Sequence, residues 1–222
     1  MWLPVTTPLV NNASSRIGIL GGTFDPVHYG HLRPALELAE AYCLKTLYLL
    51  PNHRPVHRGP ARASTATRIE MLELAIDKTQ RLAVDTREAL RDKPSYSFDT
   101  LSEVRSEHPQ ATLLFFMGLD AFAMYDTWHK WQEILELTNL VIMHRPNATH
   151  SCFSAQLLSH QRATVGEKVC DGISGAIEEC DVTQLEISST DIRRRVSENL
   201  TIRFLLPDAV SEYIMSNGLY RS

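Results

Sequence analysis

Gly21-Gly22-Thr23-Phe24-Asp25-Pro26-Val27-His28-Tyr29-Gly30-His31 decides the fold of this chain. The stretch follows a short apolar run at 16–20 (RIGIL), the length of a buried strand. It precedes Leu32, Ala35, Leu36 and Ala39, which recur at i, i+3, i+4 and i+7 as on one face of a helix. A glycine pair between strand and helix permits a sharp turn and lets an anion approach backbone N–H groups with no Cβ in the way. His28 and His31, three residues apart at the helix mouth, put two imidazoles on one side of it. The arrangement suits phosphate. The same spacing also serves as a metal half-site, with Asp25 as the one further ligand nearby, or as a pair that merely caps and packs.

Outward from this stretch, short aliphatic runs alternate with helical periods. Strands are expected at 45–50 (KTLYLL), 81–84, 111–117 (ATLLFFM), 139–143 (NLVIM) and 182–187. Helices are expected from a cap at Thr65 or Thr67 through Ile69, Leu72 and Ala75 or Ile76, at 97–107, at 131–137, and from Ser188 or Ser189 onward. A last helix follows Pro207, with Ala209, Val210, Tyr213 and Ile214 as its apolar face, and ends near Gly218. The alternation implies an α/β fold, a Rossmann-like doubly wound, mostly parallel sheet with helices on both faces. In such a sheet the first strand and the strand opening the second half lie side by side. Gly118-Leu119-Asp120 then faces Gly21-Gly22-Thr23 across the ligand crevice. Residues 147–180, rich in Ser, Gly and His, read as a variable excursion.

With 222 residues and 44% apolar composition the chain can bury a full core. Residues 1–15 read as a polar lead-in that lacks the features of a signal peptide, and 16–222 as one domain. No run reaches the ~20 apolar residues of a membrane span. The four cysteines, Cys43, Cys152, Cys170 and Cys180, form no C-x-x-C pair, and Cys43 is expected buried on a helix. A reduced, cytoplasmic setting follows. The formal net charge of −4 argues against nucleic-acid binding. Positive charge is nonetheless concentrated in two places. Between Pro51 and Ile69 there is no acidic residue, whereas Arg54, Arg58, Arg62, Arg68, His53 and His57 all occur, and Arg193-Arg194-Arg195 lie near the end. Each cluster is either a solvated face or a ligand loop.

Ile187-Ser188-Ser189-Thr190-Asp191-Ile192-Arg193 is the second informative run. Hydroxyls at a helix start cap N–H groups and, with the positive helix end, also build an anion site. Arg193, one turn on, can fold back onto the same phosphate. Together with the first stretch, this run resembles the paired HxGH and ISxTxxR motifs of the nucleotidyltransferase superfamily, and the form GGTFDPVHYGHL is most similar to the nicotinate-nucleotide adenylyltransferases. Pro94-Ser95-Tyr96-Ser97, Thr127-Trp128, His144-Arg145-Pro146 and Asn217-Gly218-Leu219-Tyr220-Arg221 extend the resemblance along nearly the whole chain.

That resemblance implies adenylyl transfer from ATP to nicotinate mononucleotide. His28, His31 and Arg193 would act on the phosphates, and Gly21, Gly22, Thr23, Phe24, Gly30, Gly118, Asp120, Ser189 and Thr190 would complete the ATP site. Arg54, His57, Arg58, Tyr96, Ser97, Trp128 and Arg145 would bind the mononucleotide, with the pyridine ring on Trp128 and its carboxylate on backbone amides near Tyr96. Mg²⁺ is expected to arrive on the ATP phosphates, with no dedicated protein site. Trp128 and Tyr96 also read as packing residues, and Asp120 as a helix N-cap. Rival readings are a pantetheine-phosphate adenylyltransferase, a cytidylyltransferase, a non-catalytic nucleotide sensor and a dinucleotide-binding oxidoreductase. The last is weakened because GGTFDP is not G-x-G-x-x-G and no acidic residue ends the second strand. The sequence leaves monomer or homo-oligomer undecided.

Overall fold

The computed structural model describes residues 15–54, 59–77, 79–144, 169 and 172–221. Its centre is a six-stranded sheet, every pair parallel, in the order β3-β2-β1-β4-β5-β6. The strands are β1 (Arg16–Gly22), β2 (Thr46–Pro51), β3 (Leu82–Val84), β4 (Thr112–Gly118), β5 (Asn139–His144) and β6 (Ile177–Asp181). Both faces of the sheet are covered, so its central strands are apolar along their whole length instead of alternating with polar residues. On β4, Leu114 and Phe116 join one core, whereas Leu113, Phe115 and Met117 join the other. The first core is closed by α1 (Tyr29–Ala41), α2 (Thr65–Ile76), α6 (Ser189–Ser197) and α7 (Asp208–Ser216). The second is closed by α3 (Ser97–Glu107) and α5 (Trp131–Leu137), with the single-turn α4 (Leu119–Phe122) leading out of β4.

The doubly wound parallel fold is as expected, and α3 and α5 have the expected bounds. The last strand does not. Residues 182–187 alternate like a half-buried strand, but Leu185 is exposed, and the backbone N–H and hydroxyl of Thr183 donate to Glu37 of α1. Residues Ile177–Asp181 (IEECD) take the edge position instead. Three acidic side chains in five residues protect that edge from further pairing and hide the strand from a search for apolar runs.

Local punctuation differs in three places. Ser64, not Thr65 or Thr67, caps α2, its hydroxyl accepting from Thr67 N at 3.1 Å. The N-cap of α4 is Gly118, with Asp120 in the first turn. Cys43 is not buried on a helix: α1 ends at Ala41, and Cys43 is exposed with φ 49° in the connection to β2. The buried stripe of α1 is Leu32, Ala35, Leu38 and Ala39, with Leu36 at its margin, and on α7 Ala209 is exposed beside buried Val210 and Ile214.

At the edge where the strands begin, Arg105 of α3 closes the carbonyls that the sheet leaves over. Its guanidinium donates to Leu137 O (2.9 and 2.7 Å), Ala111 O (2.7 Å), Ile173 O (2.8 Å) and His108 O (3.2 Å). A planar fork spans these acceptors, and an ammonium cannot. Arg105→Lys should therefore destabilise the protein by about 1–3 kcal/mol, a fall of about 2–4 °C in Tm per kcal/mol. Turnover at low temperature should be unchanged, because this edge lies opposite the ligand crevice. A thermal melt with the wild-type midpoint would remove the staple from the account.

Candidate active site

The crevice opens where β1 and β4 leave the sheet side by side, so that Gly21-Gly22-Thr23 and Gly118-Leu119-Asp120 emerge next to each other. Immediately after β1 the chain turns through Phe24 in the left-handed region (φ 50°), which sends its ring back under Gly22. A Cβ on Gly22 would come within 2.7 Å of that ring, so only glycine fits there. The Phe24 side chain is itself buried, and what it can offer a ligand is its backbone.

His28 occupies the N-cap of α1 with extended backbone, its carbonyl accepting from His31 N (2.8 Å) and Leu32 N (3.1 Å). Its imidazole stacks on that of His31, centroids 3.8 Å apart and planes 28° apart, and the Phe24 ring meets His31 edge-on at 5.1 Å. A Cβ on Gly30 would lie 2.9 Å from His28 Nδ1, so this glycine makes room for the ring. His28 is only 4% exposed, its Nδ1 has no hydrogen-bond partner among the described residues, and burial depresses its pKa to about 4. At neutral pH His28 is therefore uncharged, and an arginine brings positive charge to the crevice.

That arginine is Arg193. Ser188 caps α6, accepting from Asp191 N at 3.1 Å, and the helix then aims Ser189, Thr190 and Arg193 at the β1–α1 turn. Ser189 Oγ donates to Pro26 O (2.9 Å), and Arg193 donates to Asp25 O (2.6 Å) and to Thr190 Oγ1 (3.2 Å). The neighbouring arginines turn away: Arg194 pairs with Asp191 (2.6 Å) and Glu198 (2.5 Å), and Arg195 with Asp191 (2.7 Å). The structure thus brings the two motifs to one corner.

Of the residues expected at the mononucleotide end, the described ones lie beyond the exits of β2 and β4. Ser95 Oγ accepts from His53 N (3.3 Å) and Arg54 N (3.2 Å), tying the loop after β2 to the start of α3, where Tyr96 is the N-cap and Ser97 the first helical residue. The Tyr96 ring lies 4.6 Å from that of His129, the neighbour of Trp128. Trp128 is half-buried, braced by Phe115 (6.2 Å) and Tyr125 (5.7 Å), so it is partly core and partly open. Arg54 is largely exposed and pairs with Asp92 at 2.9 Å. His57, Arg58 and Arg145 lie outside the described residues.

Sequence reasoning passed over the residues that hold this site together. Arg68 appears in sequence as one member of a basic cluster, yet it is 1% exposed and donates to Thr23 O (2.6 Å), Asn52 O (2.7 Å) and Thr65 Oγ1 (3.0 Å). Its signal is its phase, since Arg68 shares the buried face of α2 with Met71 and Leu72. Asp25, 3% exposed, accepts from Arg62 N (2.6 Å), Ala63 N (3.2 Å) and Tyr220 Oη (2.6 Å). Spent on these donors, it is poorly placed to ligate a metal, and no group of three His, Cys, Asp or Glu suited to one occurs among the described residues.

A His28 pKa near 4, against about 6.5 in an unfolded chain, ties stability to pH. Between these values the unfolded state binds more protons, so stability falls as pH falls through about 6.5 to 4 and is fully present above that window. Melting curves taken from about pH 7 down to about pH 4.5 should show a steeper loss for the wild type than for His28→Asn. Parallel curves would mean that His28 titrates normally.

Comparison with known proteins agrees with this geometry. Residues 19–195 match the Cytidylyltransferase-like family model. A probable nicotinate-nucleotide adenylyltransferase of Psychromonas ingrahamii is 43% identical over 209 residues, covering 92% of this chain and 97% of its own. One from Pseudomonas paraeruginosa is 44% identical, covering 93% and 98%. Among solved structures, the Plasmodium falciparum nicotinic acid mononucleotide adenylyltransferase complexed with NaAD superposes with a TM-score of 0.71 over 93% of this chain and 97% of its own. At 16% identity that likeness speaks for the fold alone. With identity above two-fifths along nearly its full length, and the two sequence motifs meeting at one corner of the sheet, the chain belongs to the nicotinate-nucleotide adenylyltransferase family.

Proposed function

We propose that this crevice transfers the adenylyl group of ATP to nicotinate mononucleotide, giving deamido-NAD and pyrophosphate, with residues 16–222 acting as one nucleotidyltransferase domain. A phosphate oxygen of the mononucleotide attacks the α-phosphorus of ATP, and the bond from that phosphorus to the oxygen bridging it to the β-phosphate breaks. With a second pKa of about 6 the attacking phosphate is mostly dianionic at neutral pH and needs no general base. What the reaction requires is in-line placement of two polyanions and neutralisation of the departing pyrophosphate. The observation that carries this reading is the reach of Arg193 to Asp25 O at 2.6 Å, which brings a guanidinium to the turn that leads into the stacked His28–His31 pair.

In this reading Gly21, Gly22, Thr23 and the backbone of Phe24 cradle the triphosphate, Gly118 and Asp120 border the adenosine, and Ser189, Thr190 and Arg193 take the β- and γ-phosphates. The divalent cation comes in with ATP as part of the substrate. Mg²⁺ fits, since the corner offers hydroxyls, carbonyls and imidazoles but no free carboxylate cage. Arg54, Tyr96, Ser97 and Trp128, with His57, Arg58 and Arg145, form the mononucleotide end. A cytoplasmic setting goes with it, one in which the free thiols of Cys43 and Cys180 stay reduced.

Two kinetic tests separate the roles. His31→Ala should lower kcat by about 10²–10³, the loss typical of a preorganised donor aimed at developing charge. A near-normal kcat with a raised KM would make the histidine a uniform binder instead. At the other end, the orphan N–H groups of the first turn of α3 suit a carboxylate but offer no acceptor to an amide NH₂. The acid mononucleotide should therefore be strongly preferred in kcat/KM. Trp128→Ala should weaken acid and amide alike by about 1–3 kcal/mol, because stacking does not read the carboxylate. Equal use of the two by the wild type would sink this pocket while leaving adenylyl transfer itself intact.

A further inference from the structure

Beyond the end of α7 the chain reverses through Gly218 (φ 62°) and Tyr220 (φ 61°), both in the left-handed region, and comes back onto the first core, where Leu219 and Tyr220 pack. Non-glycine residues adopt that conformation at a cost, which the surroundings must offset. Here the reversal delivers the Tyr220 hydroxyl to Asp25 Oδ1 at 2.6 Å, across 195 residues of sequence. The phenol is partly buried, and desolvation together with the Asp25 carboxylate pushes its pKa upward, so it stays protonated and donates.

Asp25 is where this contact gains a consequence. Its carboxylate anchors the turn to Arg62 N and Ala63 N, and its own carbonyl receives Arg193, while the next carbonyl, Pro26, receives Ser189. Two residues further on begins the His28–His31 pair. Without the tyrosine hydroxyl, Oδ1 retains one longer bond, 3.2 Å to Ala63 N, and a buried carboxylate oxygen left short of donors drives the turn to relax. Any such shift moves the carbonyls on which Arg193 and Ser189 are set, and sub-ångström placement matters at a phosphoryl-transfer site. We propose that Tyr220 is a positioning residue for the phosphate-binding turn, acting through Asp25 on Arg193 and Ser189; the proposal rests on the adenylyl-transfer reading above.

Tyr220→Phe removes one oxygen and tests this in the full-length protein. Kinetics with ATP and nicotinate mononucleotide, run well below the melting midpoint of every variant, should show kcat/KM for ATP lowered about tenfold, with KM for the mononucleotide unchanged. Tyr213→Phe is the control. It deletes a similar tyrosine–carboxylate bond, to Glu70 between α7 and α2, away from the turn, and should alter the melting midpoint only. Asp25→Asn should cost more than Tyr220→Phe, and the double variant no more than Asp25→Asn alone, because the two residues act as one unit. Tyr220→Phe with wild-type kcat and KM for ATP overturns the inference, whatever its melting midpoint, and so does additive loss in the double variant. Absence of turnover in the wild type would instead overturn the adenylyl-transfer reading.

Discussion

The corner at Asp25 and Pro26 is held by interactions from three distant parts of the chain, and the geometry of the crevice depends on it. The Asp25 side chain takes donors from the approach to α2 and from Tyr220; the two successive carbonyls take donors from α6. A buried carboxylate is tolerable only when its oxygens are well supplied with hydrogen bonds, and here each donor that supplies it also fixes a segment. A single buried group thereby aligns the glycine turn after β1, the histidine pair at the head of α1, and the arginine of α6. Reaction between polyanions asks for such rigidity more than for acid or base strength.

Two arginines do comparable work at the two ends of the sheet, Arg68 fully buried and Arg105 partly so. Arg105 satisfies carbonyls where β4 to β6 begin, and Arg68 satisfies them where β1 and β2 end. Parallel strands leave carbonyls at their ends that loops must satisfy, and a five-donor fork does so with one side chain. Desolvation lowers the pKa of both guanidiniums, but from so high a starting value that both stay charged. At the crevice end the nearby Asp25 carboxylate partly offsets the desolvation of Arg68, while His28 stays neutral through burial.

Much of this was legible in the sequence because it is written in short-range patterns. Five of the six strands are apolar runs or nearly so, α3 and α5 begin and end where their periodicity does, and the two site motifs are contiguous runs of glycine, histidine and hydroxyl chemistry. The sixth strand was not legible, because its residues are those of a protected edge, and an edge strand is defined by the neighbour it pairs with. Cys43 was misplaced by similar reasoning: helical composition continues past Ala41, but the tight turn into β2 ends α1 there. Sequence leaves Trp128 between core and platform because it is half-buried, one part packed on Phe115 and Tyr125 and the rest open.

The sequence by itself determined the order of elements, the parallel doubly wound class and the two motifs that meet at the β1–α1 turn. Periodicity and turn chemistry act over a few residues, and any fold must honour them. Tertiary structure alone decided which groups hold those residues in place. Arg193 meets Asp25 across 168 residues, Arg68 meets Thr23 across 45, and Tyr220 meets Asp25 across 195. A buried carboxylate, guanidinium or phenol carries no local mark of its partner. Its role is set by the low dielectric around it and by the one donor or acceptor that folding brings within reach.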